Sequence, residues 1–229
     1  RWRNYTTFNV CRKIKEKMKT EETTLEINLT ALEKNIHYLK NRLKPTTLFL
    51  AVVKASSYGN NSVAIASHLQ KKGLVNYFAV AYTSEGIALR KAGITLPILV
   101  LHPQPINFND IVKYNLEPTL YSQRIAQLFL DYAKIQQLAN YPVHLKCNTG
   151  LNRLGFDLSE IEETLALLKN NTTVKVKTAY SHLAASEDMN EKEFTENQIN
   201  TFIAFQEKIN KTFTHKVLYH QCNTSGILN

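Results

Sequence analysis

Residues 142–182 read PVHLKCNTGLNRLGFDLSEIEETLALLKNNTTVKVKTAYSH, and the order of patterns inside this stretch decides the fold. Pro142–Cys147 and Val174–His182 are short runs rich in apolar, β-branched and aromatic residues, the composition of buried strands. Between them, Ser159–Asn170 carries apolar residues at three- and four-residue spacing, the period of a helix. Ser159 with Glu162 fits a capping box at its start. A strand, a helix and a second strand in that order form a right-handed βαβ unit with parallel strands.

The same alternation runs outward in both directions. Leu48–Lys54, Tyr77–Ala81, Pro97–Leu101, Glu117–Tyr121 and Lys216–Cys222 read as further strands, seven in all. Ser62–Lys72, Ser84–Ala92, Ser122–Gln137 and Phe194–Phe213 read as helices between them, with Ser62, Ser84, Ser122 and Ser159 as N-caps. Gly73 and Gly93 fall where helix C-caps are expected. An open doubly wound sheet and a closed barrel both satisfy this order. Seven units over roughly 180 residues match the spacing of a barrel of ~250 residues with eight units. The expectation is an α/β chain forming a parallel (β/α)8 barrel over 24–229, truncated after the seventh strand. Ahead of it, Thr24–Leu29 reads as a strand outside that count, followed by a helix Ala31–Leu43 with Thr30 as N-cap. Residues 1–23 read as a leader or linker.

Composition narrows the function. With 44% apolar residues, 7 Gly and 6 Pro, the chain buries a sizeable core. The longest apolar run, Leu48–Val53, is far too short to cross a bilayer, and no signal segment opens the chain. Both point to a cytoplasmic protein with no membrane partner. The net charge of +9 raises nucleic-acid binding. The densest basic cluster (Arg12, Lys13, Lys15, Lys17, Lys19) fits a solvated helix face, however, and no nucleic-acid motif accompanies it. Cys11, Cys147 and Cys222 are distant and odd in number, without metal-ligand spacing or a disulfide framework.

Parallel barrels place their active sites at the C-terminal ends of the strands. There the sequence collects Lys54 after strand one, Tyr82 after strand two, His102 after strand three and Tyr121 closing strand four. Lys146, Asn148, Thr149, Gly150 and Arg153 follow strand five, His182 closes strand six, and Asn223–Gly226 follow strand seven. Five apolar residues precede Lys54, so burial is expected to lower its pKa and free its amine as a nucleophile toward an aldehyde. The small polar turn Asn223–Gly226 is expected to present backbone N–H groups to a phosphate, as loops after strands seven and eight commonly do. An amine and a phosphate cup on one rim suit pyridoxal phosphate (PLP), and they suit sugar-phosphate aldolase chemistry as well.

Four motifs in order resemble the alanine racemase family. Val52-Val53-Lys54-Ala55-Ser56-Ser57-Tyr58-Gly59 is similar to its PLP signature, V-V-K-A-N-A-Y-G-H-G in many members. Lys146 to Phe156, Tyr180-Ser181-His182-Leu183-Ala184 and Asn223-Thr224-Ser225-Gly226-Ile227-Leu228 follow. The resemblance covers residues 24–229 and implies a PLP-dependent interconversion of L- and D-alanine supplying peptidoglycan synthesis, carried out by a homodimer. It implies that Lys54 holds PLP and serves as one catalytic base. Tyr58 would hold the phosphate with Asn223 and Thr224, Arg153 would meet the phenolic oxygen, and His182 would pack beside the ring. Lys146 matches a position carbamylated in some members. Leu25-Glu26-Ile27-Asn28-Leu29, Glu85-Gly86 and Leu89 to Ile94 resemble the racemase half of a fusion with a ligase that adds D-Ala-D-Ala to a UDP-muramoyl tripeptide. The leader would then be the tail of that ligase.

The chain departs from the pattern at Ser56-Ser57, where Asn-Ala is usual, at Asn60-Asn61 for His-Gly, and at Asn148 for Asp. These leave the substrate preference open. The family's pyridine-binding arginine on strand eight, and its second base, a tyrosine of a C-terminal β-domain, are expected beyond Asn229. A non-catalytic PLP carrier on a similar barrel and an inactive fragment are the rival readings.

Overall fold

The computed structural model describes residues 23–229. The basic cluster, Cys11 and all of the expected leader but Thr23 lie outside the described residues. The elements run α1 (Leu29–Lys40), β1 (Leu50–Val52), α2 (Ser62–Lys71), β2 (Tyr77–Val80), α3 (Thr83–Lys91), β3 (Ile98–Val100), α4 (Phe108–Lys113), β4 (Glu117–Leu120), α5 (Gln123–Ile135), β5 (Tyr141–Lys146), α6 (Ile161–Lys169), β6 (Val174–Tyr180), α7 (Lys192–Thr212), β7 (Leu218–His220) and α8 (Thr224–Leu228). All seven expected strands form. They pair in parallel in sequence order, β1 to β7.

Side-chain alternation separates the two faces of this sheet. Phe78 and Val80 of β2, Ile98 and Val100 of β3, and Val143 and Leu145 of β5 join Phe129, Ile161 and Phe205 of the helices in one buried layer. The opposite face carries a smaller cluster of Ala79, Leu99 and Tyr180, with Leu50 packed against it. Those residues come from β2, β3, β6 and β1. Strands two and six are not neighbours in the sheet, so the sheet must curl for them to touch. The result is the wall of an α/β barrel, seven parallel strands with the helices outside. Among the described residues β1 and β7 do not pair with each other.

Several local expectations give way. Residues 23–28 form no strand, and α1 begins earlier than expected, capped by Asn28, whose Oδ1 accepts from the Ala31 N–H at 2.9 Å. Asn outranks Thr as an N-cap. Asn61 displaces Ser62 in the same way, accepting from Ala64 N–H at 3.1 Å. Helix α3 starts at Thr83, where Glu85 rather than Ser84 reaches back to the chain, accepting from Tyr82 N–H at 3.1 Å. Helix α6 starts at Ile161 without a side-chain cap, so the Ser159–Glu162 box does not form. Ser122 does cap its helix, accepting from Ile125 N–H at 3.3 Å. Gly73 and Gly93, with φ of 63° and 87°, terminate their helices as expected.

Candidate active site

The site is built on the C-terminal rim, beginning where β1 ends. Val53 is buried, and its N–H donates to Ala79 O at 2.9 Å, extending the pairing with β2. The chain then coils the wrong way. Ala55, Ser56, Ser57 and Tyr58 have φ of 50°, 54°, 54° and 56°. Ser57 N–H donates to Val53 O at 3.1 Å and Gly59 N–H to Ala55 O at 3.0 Å, so these residues form a left-handed helical turn. Each non-glycine residue so placed costs roughly 1–2 kcal/mol. The Glu85 carboxylate clamps the turn. One oxygen accepts from Ala55 N–H at 2.7 Å, and the other accepts from Ala81 N–H at 2.7 Å and from Tyr82 N–H. The turn leaves Lys54 half-buried and Tyr58 67% exposed. The deep burial expected of Lys54 is not what the fold provides, because β1 borders the sheet and Val52 is 42% exposed.

Beyond β5 the chain makes a loop that returns to its own strand. Asn148 N–H donates to Phe156 O at 2.8 Å and Phe156 N–H to Lys146 O at 2.9 Å. Asn148 organises the interior of this loop. Its Oδ1 accepts from Gly150 N–H (3.2 Å) and Asn152 N–H (3.0 Å), and its Nδ2 donates to Asp157 Oδ1 at 2.7 Å. An ionised Asp at 148 could not make that last bond, which gives the departure from the family pattern a structural partner. At Gly155, φ is 123° and a Cβ would lie 2.8 Å from Asn148 N, so only glycine closes the loop. Arg153 is thereby held on the exposed side of the rim.

Lys146 is the buried cation of the site, 7% exposed, with its Nζ donating to Cys147 O at 3.2 Å and lying 5.1 Å from the centroid of the Tyr180 ring. Burial pushes its amine down to about 8, with the charge of Arg153 acting in the same direction. His182 is half-buried. Its imidazole is held below its ordinary value by burial first, and then by the positive charges of Lys146, Arg153 and Lys54. Lys54, Lys146, Arg153 and His182 therefore converge on one region. That region is cationic and suits an anionic ligand.

At β7 the expected phosphate turn becomes the short helix α8. The side chain of Asn223 is committed internally: Oδ1 accepts from Gly226 N–H (2.9 Å) and Ser186 Oγ (3.0 Å), and Nδ2 donates to Leu183 O (3.1 Å). It shapes the turn, and the exposed Thr224 is the side chain left facing outward. Tyr82, His102 and Tyr121 line the rim from β2 to β4 as a row of rings, with centroids 5.7 and 5.2 Å apart.

The linear pattern missed two anchoring residues and one lining residue. Glu85 read as a helix residue and as part of a family resemblance, without a role in the site. Gln198, 1% exposed on α7, accepts from Ala184 N–H at 2.9 Å and donates to His182 O at 3.1 Å and Thr149 Oγ1 at 3.3 Å, tying the loops after β5 and β6 together. His220 stacks on Tyr180 with centroids 4.8 Å apart. An inward-facing amide within an otherwise amphipathic helix was the available signal for Gln198.

With this geometry in hand, comparison with known proteins is decisive. The family model described as alanine racemase, N-terminal domain, matches residues 27–229. The chain belongs to the alanine racemase family. An alanine racemase of Synechocystis sp. is 37% identical over 169 residues, covering 72% of this chain and 45% of the relative. One of Citrifermentans bemidjiense is 32% identical over 215 residues, covering 92% and 56%. The solved alanine racemase of Clostridium difficile superposes with a TM-score of 0.82 at 31% identity, covering 88% of this chain and 55% of that one. The chain thus spans about half the length of the racemases it matches. Alanine racemases are PLP-dependent enzymes. The donor set fits that cofactor: a primary amine on Lys54, a cationic cluster, a tyrosine beside it, and a turn of small polar residues. The buried Ser57 Oγ, which has no hydrogen-bond partner, adds an unspent polar group within the Lys54 turn. Among the described residues no group of His, Cys, Asp and Glu could hold a metal ion, and no helix is long and apolar enough to cross a membrane.

Proposed function

We propose that this chain is the cofactor-holding barrel of an alanine racemase, which interconverts L- and D-alanine and supplies D-alanine for peptidoglycan. The observation that carries the reading is the convergence of Lys54, Lys146 and Arg153 on His182 at the strand ends of a family-matched barrel. The Lys54 amine would hold PLP, Tyr58 and Thr224 would bind its phosphate over the turn that Asn223 shapes, Arg153 would meet the phenolic oxygen, and His182 would pack beside the ring. PLP, when bound, supplies the electron sink that makes the α-proton of an amino acid acidic. Lys54 then takes and returns that proton on one face. The opposite face needs a second base, which the resemblance assigns to a tyrosine of a C-terminal β-domain in the partner subunit of a homodimer. Lys146, with its amine near neutrality, is suited to carbamylation and to orienting Arg153. The wording of residues 25–29 and 89–94 supports a place beside the D-Ala-D-Ala-adding ligase, in the cytoplasm.

The test is covalent. PLP is added to the chain, the adduct is reduced with borohydride, and the modified lysine is located by mass spectrometry. The label is expected on Lys54, with the visible band absent in Lys54→Ala. A label on Lys146, or a band that survives the substitution, overturns the assignment.

A further inference from the structure

The space inside the barrel is filled only in part by the branched apolar residues that dominate such barrels. Glu117, at the start of β4 and 7% exposed, receives three donors. Its Oε2 accepts from the Tyr77 hydroxyl and lies 2.8 Å from His144 Nε2, and its Oε1 accepts from Lys177 Nζ at 3.1 Å. The chain of polar groups continues upward. His144 Nδ1 lies 2.8 Å from Thr178 Oγ1, and Thr178 Oγ1 lies 3.3 Å from His220 Nε2.

With Glu117 ionised and His144 neutral, counting protons along this chain leaves one arrangement. A carboxylate only accepts, so His144 presents N–H at Nε2. A neutral His144 then has a lone pair at Nδ1, which must receive the one hydroxyl proton of Thr178. The Thr178 oxygen is left as an acceptor, and His220 must donate to it from Nε2. We propose that Glu117 is a positioning residue for the site above it, fixing through His144 and Thr178 the tautomer of His220, with the proton on Nε2 and a lone pair on Nδ1.

The electrostatics agree with the charge states this requires. Burial pushes the Glu117 carboxyl up, but the hydrogen bonds from His144 and Tyr77 and the charge of Lys177 outweigh it and hold it below the usual carboxylate range. Burial keeps His144 below its ordinary value against the pull of Glu117. It pushes His220 down to about 3, with the charge of Lys146 adding to the effect, so both rings are neutral at working pH. Lys146 thus lies in the field of His220, and an imidazole that offers a lone pair rather than an N–H is the better neighbour for an ammonium. Glu117, at the far end of the barrel, in this way tunes the cationic cluster at the rim. This consequence rests on the function proposed above, whereas the proton positions do not.

The experiment reads those positions directly. Two-bond 1H–15N correlations distinguish the ring nitrogens of each histidine in the uniformly labelled chain, with and without added PLP, assigned by His144→Gln and His220→Gln. Both rings are expected with the proton on Nε2. In Glu117→Gln, Lys177 still requires an acceptor, so the carboxamide oxygen turns toward it and the NH2 faces Tyr77 and His144. His144 then accepts at Nε2 and donates from Nδ1, the Thr178 hydroxyl points to His220, and the His220 proton shifts to Nδ1. Adding Thr178→Val to that variant breaks the relay and returns the His220 proton to Nε2 while His144 stays reversed. A His220 proton on Nδ1 in the parent overturns the proposal. So does a His220 that keeps its Nε2 proton in Glu117→Gln while His144 reverses. A purely structural role for Glu117 would lower Tm without moving either proton, and if Glu117→Gln does not fold, the parent spectrum still decides. Failure of PLP to bind would sink the proposed function and leave the tautomer result standing.

Discussion

Ala55 to Tyr58 hold four successive left-handed conformations without a glycine among them, and at roughly 1–2 kcal/mol each the turn exists only because its surroundings impose it. Glu85 is the visible restraint, with both carboxylate oxygens engaged by backbone N–H groups. In Glu85→Gln one of those N–H groups would face an NH2 and lose its acceptor, at a cost of about 1–3 kcal/mol. The expected outcome is a lower urea midpoint and weaker PLP binding in the same variant. Stability that falls with PLP affinity unchanged would show that the turn does not serve the cofactor. The turn was not legible in Ala-Ser-Ser-Tyr, because no residue there prefers positive φ; Lys54 itself was, because a lysine after an apolar run stands out. At Lys146 the residue scale also gives a pH dependence. Its amine lies near 8 in the fold against an ordinary 10.5, so between pH 8 and 9 the unfolded chain binds more protons than the folded one. Stability therefore rises with pH across that window. Above it the Cys147 thiol, pushed up to about 12, works the other way. Lys146→Met should flatten the rise between pH 8 and 9 in urea denaturation, and an unchanged slope would contradict the burial of the amine.

At the scale of elements, strands were easier to read than helix ends. Seven runs of apolar, β-branched and aromatic residues became seven strands, since parallel strands covered by helices leave little choice of residue. Caps were harder, because Asn61 and Ser62 are adjacent and both can cap; the loop geometry, with Asn61 at φ 60°, selected the asparagine. The polar interior from Glu117 to His220 was illegible for a different reason. Its members lie on β2, β4, β5, β6 and β7, and only curling of the sheet brings them together. Helix α7 shows how an element serves the rim from outside it. Gln198→Leu would strand the Ala184 N–H and the His182 carbonyl, at about 1–3 kcal/mol for each buried group left unpaired. Gln198→Glu keeps an acceptor for Ala184 but sets a carboxylate against the His182 carbonyl. Both variants should speed amide exchange at Ala184, the leucine variant more. Protection equal to the parent's in the leucine variant would show that the clamp is dispensable.

For the whole molecule, the geometry of a parallel barrel decides what the chain can do with a proton. The strands share one direction, so Lys54, Lys146, Arg153 and His182 all emerge at one rim, and in the role proposed for it Lys54 would meet the amino acid from the side of β1. A base on one face can remove an α-proton and restore one to that face, which exchanges the proton but leaves the configuration unchanged. Inversion requires delivery from the opposite face, and the proposed second base belongs to a part of the racemases outside the half that this chain matches. The 229-residue chain alone, with PLP added in D2O, should therefore exchange the α-proton of one alanine enantiomer for deuterium without forming the other. Proton NMR follows loss of the α-proton signal, and chiral chromatography follows the second enantiomer. Exchange without inversion, abolished by Lys54→Ala, is the expected result. Accumulation of both enantiomers at matching rates would mean that a second base lies within residues 1–229. The Lys54→Ala variant would then separate a Lys54-dependent reaction from one that other rim residues carry out.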